Sequence, residues 1–495
     1  MLGSQAEVRQ APLFDANSYR GVIYSSGAFH PVAQTAPVLE KATGEEIFTT
    51  GVASPQDVDI AVRSARAAQR EWEKRTSTER GDVIRRFASL LSDHREEVMA
   101  WVIRETGAIK QKGAFDVDLS VRESLEAATL ATRPAGLLLT DGADRQSLAR
   151  RVPVGVVGVI TPWNSPLILA VRSVMPALAL GNAVVLKPDV QTPVCGGLIM
   201  AGLFELAGLP KGLFHVLPGG AETGEAVVAH PQTAVITFTG STPVGRRVGE
   251  VGGRLLKRTA LELGGKNAYI VCEDADVDRA VTAGSFGSFF HQGQICFTIG
   301  RHLVHKDIAD EYTAKLAERA RRLKVGDPFR EDVHLGPLVN LKQAERAERI
   351  LTESVQAGAK VLAGGTRDGQ FFQPTVLTNV SIDMPVFVEE TFGPIAAVLP
   401  VESDEEAIQL ANATEYGLVA AIQTSSLQRA NAIANRLNTG IVHINDQPVV
   451  HEVYGPIGGM GASGNGARTG LPAWEHEFTQ WQWVTSRPVS PEYPF

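Results

Sequence analysis

Short apolar segments alternate with helical patterns between residues 152 and 240, and this alternation constrains the fold more than any other feature of the sequence. Residues 165–180 and 194–208 have helical spacing. Four segments have the length and branched apolar composition of strands buried on both faces: VPVGVVGVI (152–160), AVVLK (183–187), LFHVLP (213–218) and AVITFTG (234–240). Repeated strand–helix–strand units predict a parallel sheet covered by helices on both faces, an α/β fold.

The carboxyl ends of these predicted strands carry polar residues and glycines. Ligands of parallel sheets bind beyond such ends, so we expect the functional site at this edge. The residues there are Asn164, Lys187, Gly219, Gly220, Gly240 and Ser241. GSTPVGRR (240–247) has the glycine spacing of a phosphate-binding loop but lacks its Lys-Ser/Thr ending, which argues against an ATPase. The free N–H groups of this turn still suit a pyrophosphate.

A second alternating series follows residues 260–271 and extends to about residue 445. Its helical patterns cover 274–290, 307–323 and 341–358, and a loop with a cysteine separates the first from the second. The sequence therefore predicts two α/β units in tandem.

Two segments differ from both series. Residues 137–152 predict a hairpin around Asp141-Gly142. EFTQWQWV (477–484) alternates and places Thr479, Trp481 and Trp483 on one face. Two tryptophans on a terminal strand indicate that a neighbour, such as another subunit, covers them.

The composition restricts the class of protein. A chain of 495 residues is too long for one core, which predicts two or three domains. The hydrophobic content of 44% with 21% charged residues is typical of a soluble globular protein. The net charge of -8 argues against a nucleic-acid partner. Three cysteines cannot form a disulfide framework, which favours a reducing, cytoplasmic setting.

Signals for secretion, membrane insertion and metal binding are not visible in the sequence. Residues 1–15 lack the apolar core and cleavage site of a secretory signal. The most apolar window, residues 152–186, is interrupted by three prolines, Asn164 and Arg172, so no membrane span is predicted. The histidines and cysteines form neither H-E-x-x-H nor paired C-x-x-C motifs, so no metal site is predicted.

Cys296 lies in the segment FFHQGQICFTIG (289–300). A lone cysteine is often a small buried hydrophobe. A nucleophilic cysteine instead needs an approachable sulfur and neighbours that favour the thiolate. The surrounding glycines and glutamines indicate a loop that lines a cavity, which favours a nucleophile without deciding the question. A pair with His291 is conceivable, but an ordinary loop histidine is the better interpretation.

Two carboxylates stand out. Glu262 lies in an apolar, strand-like run that ends in two glycines. Burial would raise its pKa and suit it to be a general base near neutrality. The alternative is a structural ion pair, for instance with Lys266. Glu390, in FVEETFGP, would by itself be taken for a surface acid.

Six motifs together resemble the aldehyde dehydrogenase superfamily, in the order and spacing of that family and over nearly the whole chain. They are TPWNSP (161–166), KPDVQTP (187–193), FTGS (238–241), LELGGK (261–266), GQIC (293–296) and EETFGP (389–394). HQGQICF, HLGPL, NTGIVHINDQP and GGMGASG are most similar to the benzaldehyde and vanillin dehydrogenases of that superfamily.

The resemblance implies a reaction and a domain plan. The Cys296 thiolate would add to an aldehyde to give a thiohemiacetal. The thiohemiacetal would lose hydride to a nicotinamide and leave a thioester. Glu262 would then activate water to hydrolyse the thioester. The side-chain amide of Asn164 and the Cys296 backbone N–H would hold the oxyanion. The expected parts are a Rossmann-like, doubly wound dinucleotide-binding domain (1–132 and 152–261), an α/β catalytic domain (262–445) and a small β oligomerisation arm (133–151 and 477–495) of a homodimer or homotetramer. SGNGART (463–469) lacks the second glutamate of many relatives, so Glu262 is the clear base.

The resemblance also implies a cofactor site. Its residues would be Thr161, Trp163, Lys187, Gly220, Gly240, Ser241, Glu390 and Phe392. Many NAD-specific relatives carry a glutamate three residues after the lysine, where this chain has Val190. Nothing at Val190 repels a 2′-phosphate, so we expect NAD as cofactor and NADP as a plausible second. Asp189 beside it favours NAD.

The substrate side is expected on the helix after Asn164. Ser165, Leu169 and Arg172 share one face of it. By resemblance this face lines the substrate tunnel, with Ile295 and Phe297 around the nucleophile. Ser165 replaces a bulky aromatic and leaves space for a ring, and Arg172 would favour a phenolic oxygen or a carboxylate.

Several functions remain open on the sequence alone. Hydroxylated benzaldehydes are the first choice of substrate, and a carboxylated semialdehyde is the second. A CoA-acylating relative is one further alternative, although such relatives usually lack the base that Glu262 provides. A cysteine hydrolase or a binding protein that only keeps the fold is another.

Overall fold

The computed structural model describes residues 13–15, 19–142, 144–471 and 473–495. The N-terminal part contains two short hairpins, four long helices and a longer hairpin. Its elements are β1 (Val22–Ser25), β2 (Ala28–Pro31), β3 (Thr35–Leu39), β4 (Glu46–Gly51), α1 (Pro55–Trp72), α2 (Ser77–Asp93), α3 (Arg95–Thr106), α4 (Lys110–Leu130), β5 (Gly136–Gly142) and β6 (Arg145–Pro153). Helices α1 and α2 each begin at a capping box, which fixes their first residues. Residues 1–12, most of the segment in which the sequence predicts no secretory signal, lie outside the described residues.

The alternating region from residue 156 onward forms the predicted parallel sheet. Its elements are β7 (Val156–Ile160), α5 (Pro166–Ala179), β8 (Ala183–Lys187), a π-helical turn (Val194–Leu198), α6 (Ile199–Ala207), β9 (Phe214–Val216), α7 (Ala221–Ala229), β10 (Thr233–Thr239), α8 (Thr242–Arg254) and β11 (Arg258–Glu262). The sheet has the order β11-β10-β7-β8-β9-β1-β2, and β7 to β11 are parallel. Every residue of β7 and β8 is buried, as the apolar runs predict.

One predicted strand is shorter than expected. Residues 152–160 do not form a single strand, because Gly155 has φ +119° and interrupts the run. Val152 and Pro153 belong instead to the hairpin strand β6, and the buried strand begins at Val156.

The second alternating series forms a second sheet. The elements that follow β11 in the chain are β12 (Asn267–Val271), α9 (Val277–Phe289), a 3₁₀ turn (Phe290–Gly293), β13 (Ile299–His305), α10 (Lys306–Arg322), α11 (Leu341–Gln356), β14 (Lys360–Ala363), β15 (Arg367–Asp368), β16 (Phe371–Phe372), β17 (Thr375–Thr378), α12 (Pro385–Val388), β18 (Ile395–Val401), α13 (Asp404–Ala411), β19 (Tyr416–Gly417), β20 (Val419–Gln423), α14 (Leu427–Ala434), β21 (Ile441–Ile444), β22 (Met460–Gly461), α15 (Ala473–Phe478) and β23 (Thr479–Ser486). The order is β14-β17-β18-β13-β12-β20-β21, with the edge strand β14 antiparallel to β17 and the other pairs parallel.

A third sheet has three strands and is separate from the two seven-stranded sheets. It has the order β23-β6-β5 and is antiparallel. The hairpin predicted around Asp141-Gly142 is therefore confirmed, with residue 143 outside the described residues. Trp481 and Trp483 are 51% and 67% exposed, and Leu137, Leu138 and Leu139 are also exposed, so the sheet presents an apolar surface to solvent. Thr479, by contrast, is buried.

In the described part of the chain, none of the helices has the length and apolar character that crossing a membrane requires.

Candidate active site

The register of the first sheet aligns the predicted site residues. Ile160 at the end of β7 pairs with Lys187 on one side and with Phe238 on the other. Thr239, next along β10, pairs with Glu262 at the end of β11. The carboxyl ends of four neighbouring strands therefore meet at one edge, facing the second domain.

A cavity of about 200 Å³ opens at this edge. It brings together the three predicted catalytic residues Asn164, Glu262 and Cys296. Its other lining residues are Pro162, Trp163, Leu169, Thr239, Gly240, Ser241, Leu263, Gly264, Gln343, Arg346, Glu390 and Phe392. The remaining predicted residues lie outside this lining, namely Thr161, Ser165, Arg172, Lys187, Gly220, Ile295 and Phe297.

The loop before Cys296 has an unusual backbone. His291, Gln292 and Gly293 have φ values of 51°, 58° and 69°, three consecutive residues in the left-handed region. Such a conformation is strained for the two residues that carry a Cβ, so the surroundings must hold it. The side-chain amide of Gln292 donates to the carbonyl oxygens of Gly107 and Pro337, both at 2.8 Å.

Asn164 is tied to the same loop by two hydrogen bonds. Its Nδ2 donates to the carbonyl oxygen of Gln294 at 2.8 Å, and its own carbonyl oxygen lies 2.8 Å from Nε2 of His291. Burial and the nearby Lys112 hold the pKa of His291 well below its usual range, so a neutral ring donates from Nε2. His291 is therefore no ordinary loop histidine. The second N–H of the Asn164 amide can point at an oxyanion beside Cys296.

The thiol of Cys296 is protonated at neutral pH. Burial raises its pKa to about 12, Glu390 and Glu262 add to this effect, and Arg172 opposes it. A sulfur nucleophile at this position would have to lose its proton as it attacks, so it would need a neighbouring base. Cys195 and Cys272 are buried, and burial likewise raises the pKa of each thiol. They are structural cysteines.

Glu262 has the environment of such a base. Burial raises its pKa to about 8. Its Oε1 is buried and has no hydrogen-bond partner among the described residues. The ion pair with Lys266 that the sequence left open is not formed, because the Lys266 ammonium donates to the hydroxyl of Thr391 instead. Glu262 can therefore exchange a proton near neutrality.

The helix N-termini at the same edge suit an anionic cofactor. Ser241 and Gly220 precede α8 and α7, and neither helix start is capped by a side chain within the described part of the chain. A Cβ on Gly220 would meet no described atom within 4 Å, so the backbone there is open to a ligand. Uncapped N–H groups and the helix dipole favour phosphate groups. Thr161 Oγ1 is another buried polar atom without a partner in this part.

Glu390 and Phe392 form the opposite wall. Oε1 of Glu390 accepts from the Gly265 N–H at 3.0 Å, so Glu390 is not a free surface acid. Phe392 has φ 53° and packs at right angles to Trp163, with ring centroids 5.5 Å apart. A strained residue between two domains is typical of a ligand site.

Helix α11 contributes two cavity residues that the sequence analysis missed. Arg346 donates from Nη2 to the carbonyl oxygen of Glu390 at 2.7 Å. Gln343 donates from Nε2 to the carbonyl oxygen of Phe392 at 2.9 Å. These two hydrogen bonds fix the backbone of the wall that Glu390 and Phe392 form. In the sequence they are polar positions of a charged amphipathic helix, and no local signal sets them apart.

The predicted substrate residues divide into two groups. Phe297 is buried in an apolar cluster with Leu418, Val419, Val449 and Ile457, against which Ile295 and Cys296 pack. Leu169 lines the cavity itself. The polar members are already paired: Ser165 accepts from the Lys112 ammonium at 3.1 Å, and Arg172 contacts Glu123.

Groups of three or more metal-ligating side chains do not occur among the residues that the structure describes.

Comparison with known proteins identifies the family. Residues 29–484 match the sequence model of the aldehyde dehydrogenase family. The chain belongs to this family. A benzaldehyde dehydrogenase (NAD+) of Pseudomonas putida is 49% identical over 490 residues, covering 99% of this chain and 100% of that protein. A vanillin dehydrogenase of an Amycolatopsis species is 48% identical, with 97% and 99% covered.

The fold agrees with this assignment. The crystal structure of betaine aldehyde dehydrogenase from Staphylococcus aureus in complex with NAD+ superposes with a TM-score of 0.92 at 32% identity, covering 96% of each chain. The predicted fold class is confirmed: the chain has the Rossmann-like and α/β domains of aldehyde dehydrogenases.

The pKa of Glu262 leads to a test. If Glu262 is the base, steady-state turnover should rise with pH and level off above about 8, as its raised pKa requires. Glu262→Gln should abolish this rise and lower turnover by about a hundredfold or more, while a first burst of reduced cofactor survives at a lower rate, because Glu262 also accepts the thiol proton. Stopped-flow absorbance from pH 6 to 10 measures both. Unchanged steady-state turnover in the variant would mean that another group is the base.

Proposed function

We propose that the protein oxidises an aromatic aldehyde to the carboxylic acid, with NAD as cofactor and NADP as an accepted second. The observation that carries this proposal is the shared cavity of Cys296, Asn164 and Glu262. The apolar cluster around the nucleophile suits a ring. The names of the two relatives, a benzaldehyde and a vanillin dehydrogenase, support the same substrate class.

Cys296 begins the reaction. Its Sγ adds to the aldehyde carbon while the thiol proton passes to Glu262, whose Oε1 is unpaired in the described structure. The carbonyl oxygen becomes an oxyanion between the Asn164 amide and the Cys296 backbone N–H. The loop hydrogen bonds hold Asn164 in place before the substrate arrives. One such donor typically contributes about a hundredfold to a thousandfold in rate.

NAD or NADP, when bound, supplies the hydride acceptor. Gly220, Gly240 and Ser241 would hold the pyrophosphate region at the two uncapped helix starts. Lys187, at the end of β8, would contact the adenosine ribose. Glu390 would hold the nicotinamide ribose, with Phe392, Trp163 and Thr161 packing nearby.

Glu262 completes the reaction. After hydride loss the acyl group remains on Cys296 as a thioester. Once Glu262 has released the thiol proton to solvent, it takes a proton from water as the water oxygen attacks the acyl carbon, and that proton passes to the sulfur when the C–S bond breaks and the acid leaves. A carboxylate whose pKa lies near 8 is suited to this step because it returns its proton readily at working pH.

The decisive experiment uses benzaldehyde with NAD and with NADP, each with and without CoA. We expect reduced cofactor and benzoate without any need for CoA. Cys296→Ala should abolish the oxidation and retain cofactor binding, measured by calorimetry, because the sulfur does chemistry and does not hold the dinucleotide. Dependence on CoA would favour an acylating enzyme, and ester hydrolysis without reduced cofactor would favour a hydrolase.

Val190 is our proposed determinant of cofactor choice. It stands where NAD-specific relatives of this family carry a glutamate, and Asp189 beside it already accepts from the backbone N–H of Gln191 at 3.0 Å. Val190→Glu should raise the NAD/NADP ratio of kcat/KM at least tenfold, because a carboxylate accepts from ribose hydroxyls and repels a 2′-phosphate. Val190→Gln is the uncharged control. A ratio that Val190→Glu leaves unmoved would contradict this placement.

We further propose a division of labour along the chain. Residues 1–132 and 152–261 would bind the dinucleotide, residues 262–445 would carry the nucleophile, and residues 133–151 with 477–495 would form an oligomerisation arm. The free thiols of Cys195, Cys272 and Cys296 suit a reducing, cytoplasmic setting.

The arm is proposed to build a homodimer or homotetramer. Its exposed tryptophans need cover, although Arg151 stacks over Trp481 and Trp483 donates to Ser147. Light scattering should give a mass of two or four chains, and combining Trp481→Ser with Trp483→Ser should shift it toward the monomer. Leu427→Ser, an exposed leucine outside the arm, is the control. A monomeric wild type would refute the role of the arm.

A further inference from the structure

We propose that Glu123, paired with Arg172 and His451 beside the substrate site, selects aldehydes whose ring carries a hydroxyl group and rejects those that carry a carboxylate. This inference rests on the proposed oxidation of aromatic aldehydes and decides between its two candidate substrate classes.

The three side chains form a buried cluster. Nε of Arg172 lies 3.3 Å from Oε1 of Glu123, and Nε2 of His451 lies 2.9 Å from the same oxygen. Nη2 of Arg172 is 3.1 Å from Nδ1 of His451. The same Nη2 lies 2.9 Å from Nε2 of His451, so the guanidinium faces the ring edge between the two nitrogens, and His451 contacts both Arg172 and Glu123 in either tautomer. No sequence motif connects residues 123, 172 and 451.

The cluster has no net charge. Burial and Arg172 lower the pKa of His451, so the ring is neutral at pH 7. The guanidinium of Arg172 is balanced by the carboxylate of Glu123. A substrate carboxylate would therefore bring an uncompensated negative charge into a buried site, which is strongly unfavourable.

Glu123 also has an unused acceptor. Its side chain is 2% exposed, and Oε2 has no hydrogen-bond partner among the described residues. Buried carboxylate oxygens are normally hydrogen-bonded, so an orphaned one indicates a missing donor. A phenolic O–H can donate to Oε2, and its oxygen can accept from the Arg172 guanidinium. A methyl group of the same size can do neither.

The cluster lies behind the lining of the cavity, and Arg172 is near enough to oppose the raised pKa values of Cys296 and Glu262. Arg172 is on the face of α5 that carries Leu169, and Leu169 lines the cavity with Cys296. Eight residues separate Arg172 from Asn164, roughly 12 Å along a helix axis. Helical side chains lean toward the N-terminus, which shortens that distance. Val449, two residues before His451, packs in the apolar cluster beside Cys296.

A second neutral pair lies where α4 packs against α5. The Lys112 ammonium donates to Asp116 at 2.6 Å and to Ser165, the residue after Asn164. Oδ1 of Asp116, like the free oxygen of Glu123, has no partner in the described part of the chain. Both ion pairs at the contact of α4 with α5 therefore balance their charges and each leave one carboxylate oxygen unpaired. This arrangement favours the binding of neutral hydrogen-bond donors over that of anions.

The test compares three kinds of substrate on the wild-type enzyme. These are 3- and 4-hydroxybenzaldehyde, the methyl isosteres 3- and 4-methylbenzaldehyde, and 4-formylbenzoate. We expect kcat/KM for the better hydroxy substrate to exceed that of its isostere by about tenfold or more. 4-Formylbenzoate should be the poorest of all. A wild type that prefers 4-formylbenzoate to the methyl compounds overturns the proposal without any variant.

Glu123→Gln then tests the residue itself. Without its counter-charge, Arg172 should attract an anion, so the ratio of kcat/KM for 4-formylbenzoate to that for 4-methylbenzaldehyde should rise at least tenfold. The hydroxy-to-methyl ratio should fall. Glu105→Gln is the matched control, because Glu105 is a fully buried carboxylate that accepts from the N–H groups of Val194 and Cys195. It should leave both ratios as in the wild type.

The outcomes separate this inference from the proposed function. If the wild type reduces neither NAD nor NADP with any of these aldehydes, the proposed function fails. If all are oxidised and the two ratios are the same in wild type and Glu123→Gln, the role of Glu123 alone is refuted.

Discussion

The left-handed turn at His291, Gln292 and Gly293 is the constraint on which the site depends. Helix α9 ends at Phe289, and the turn redirects the chain so that Cys296 faces the ends of the first sheet. Hydrogen bonds hold it to Asn164 and Gly107 of the N-terminal half of the chain and to Pro337. The nucleophile and its proposed oxyanion donor thus come from different domains but share one rigid connection.

Burial sets the electrostatics of everything around this turn. Burial of Cys296 and Glu262 raises both pKa values, so the thiol is held in its protonated form while Glu262 can exchange its proton near neutrality. The charges that remain nearby are paired, Arg172 with Glu123 and Lys112 with Asp116. A buried site that neutralises its own charges can still reserve particular donors and acceptors for a substrate. The same burial that raises the pKa of Cys296 therefore also underlies the proposed selection among ring substituents of the substrate.

Much of the fold was predictable because its signals are local. A strand buried on both faces must be apolar throughout, so β8 was predicted with its bounds unchanged and α5 within one residue at each end. The strand predicted at 152–160 was too long, because a strand and a hairpin arm share the same apolar pattern and only the φ angle of Gly155 separates them. The motif around Cys296 likewise predicted a loop that lines a cavity, and Cys296 does line one.

The sequence by itself determined the layered α/β architecture, the family and the residues that gather at the strand ends, since periodicity and short motifs specify each of these locally. Only the tertiary structure decided which groups are paired and which are left unpaired. Glu123 and His451 are 328 positions apart, and Gln343 and Arg346 hold the wall of the cavity from an ordinary charged helix. Such contacts depend on how distant segments pack, and hydrogen-bond partners at long sequence separation leave no pattern in the chain. From the sequence, Arg172 is a cation available to a substrate anion. In the tertiary structure it is paired with Glu123, which neutralises its charge.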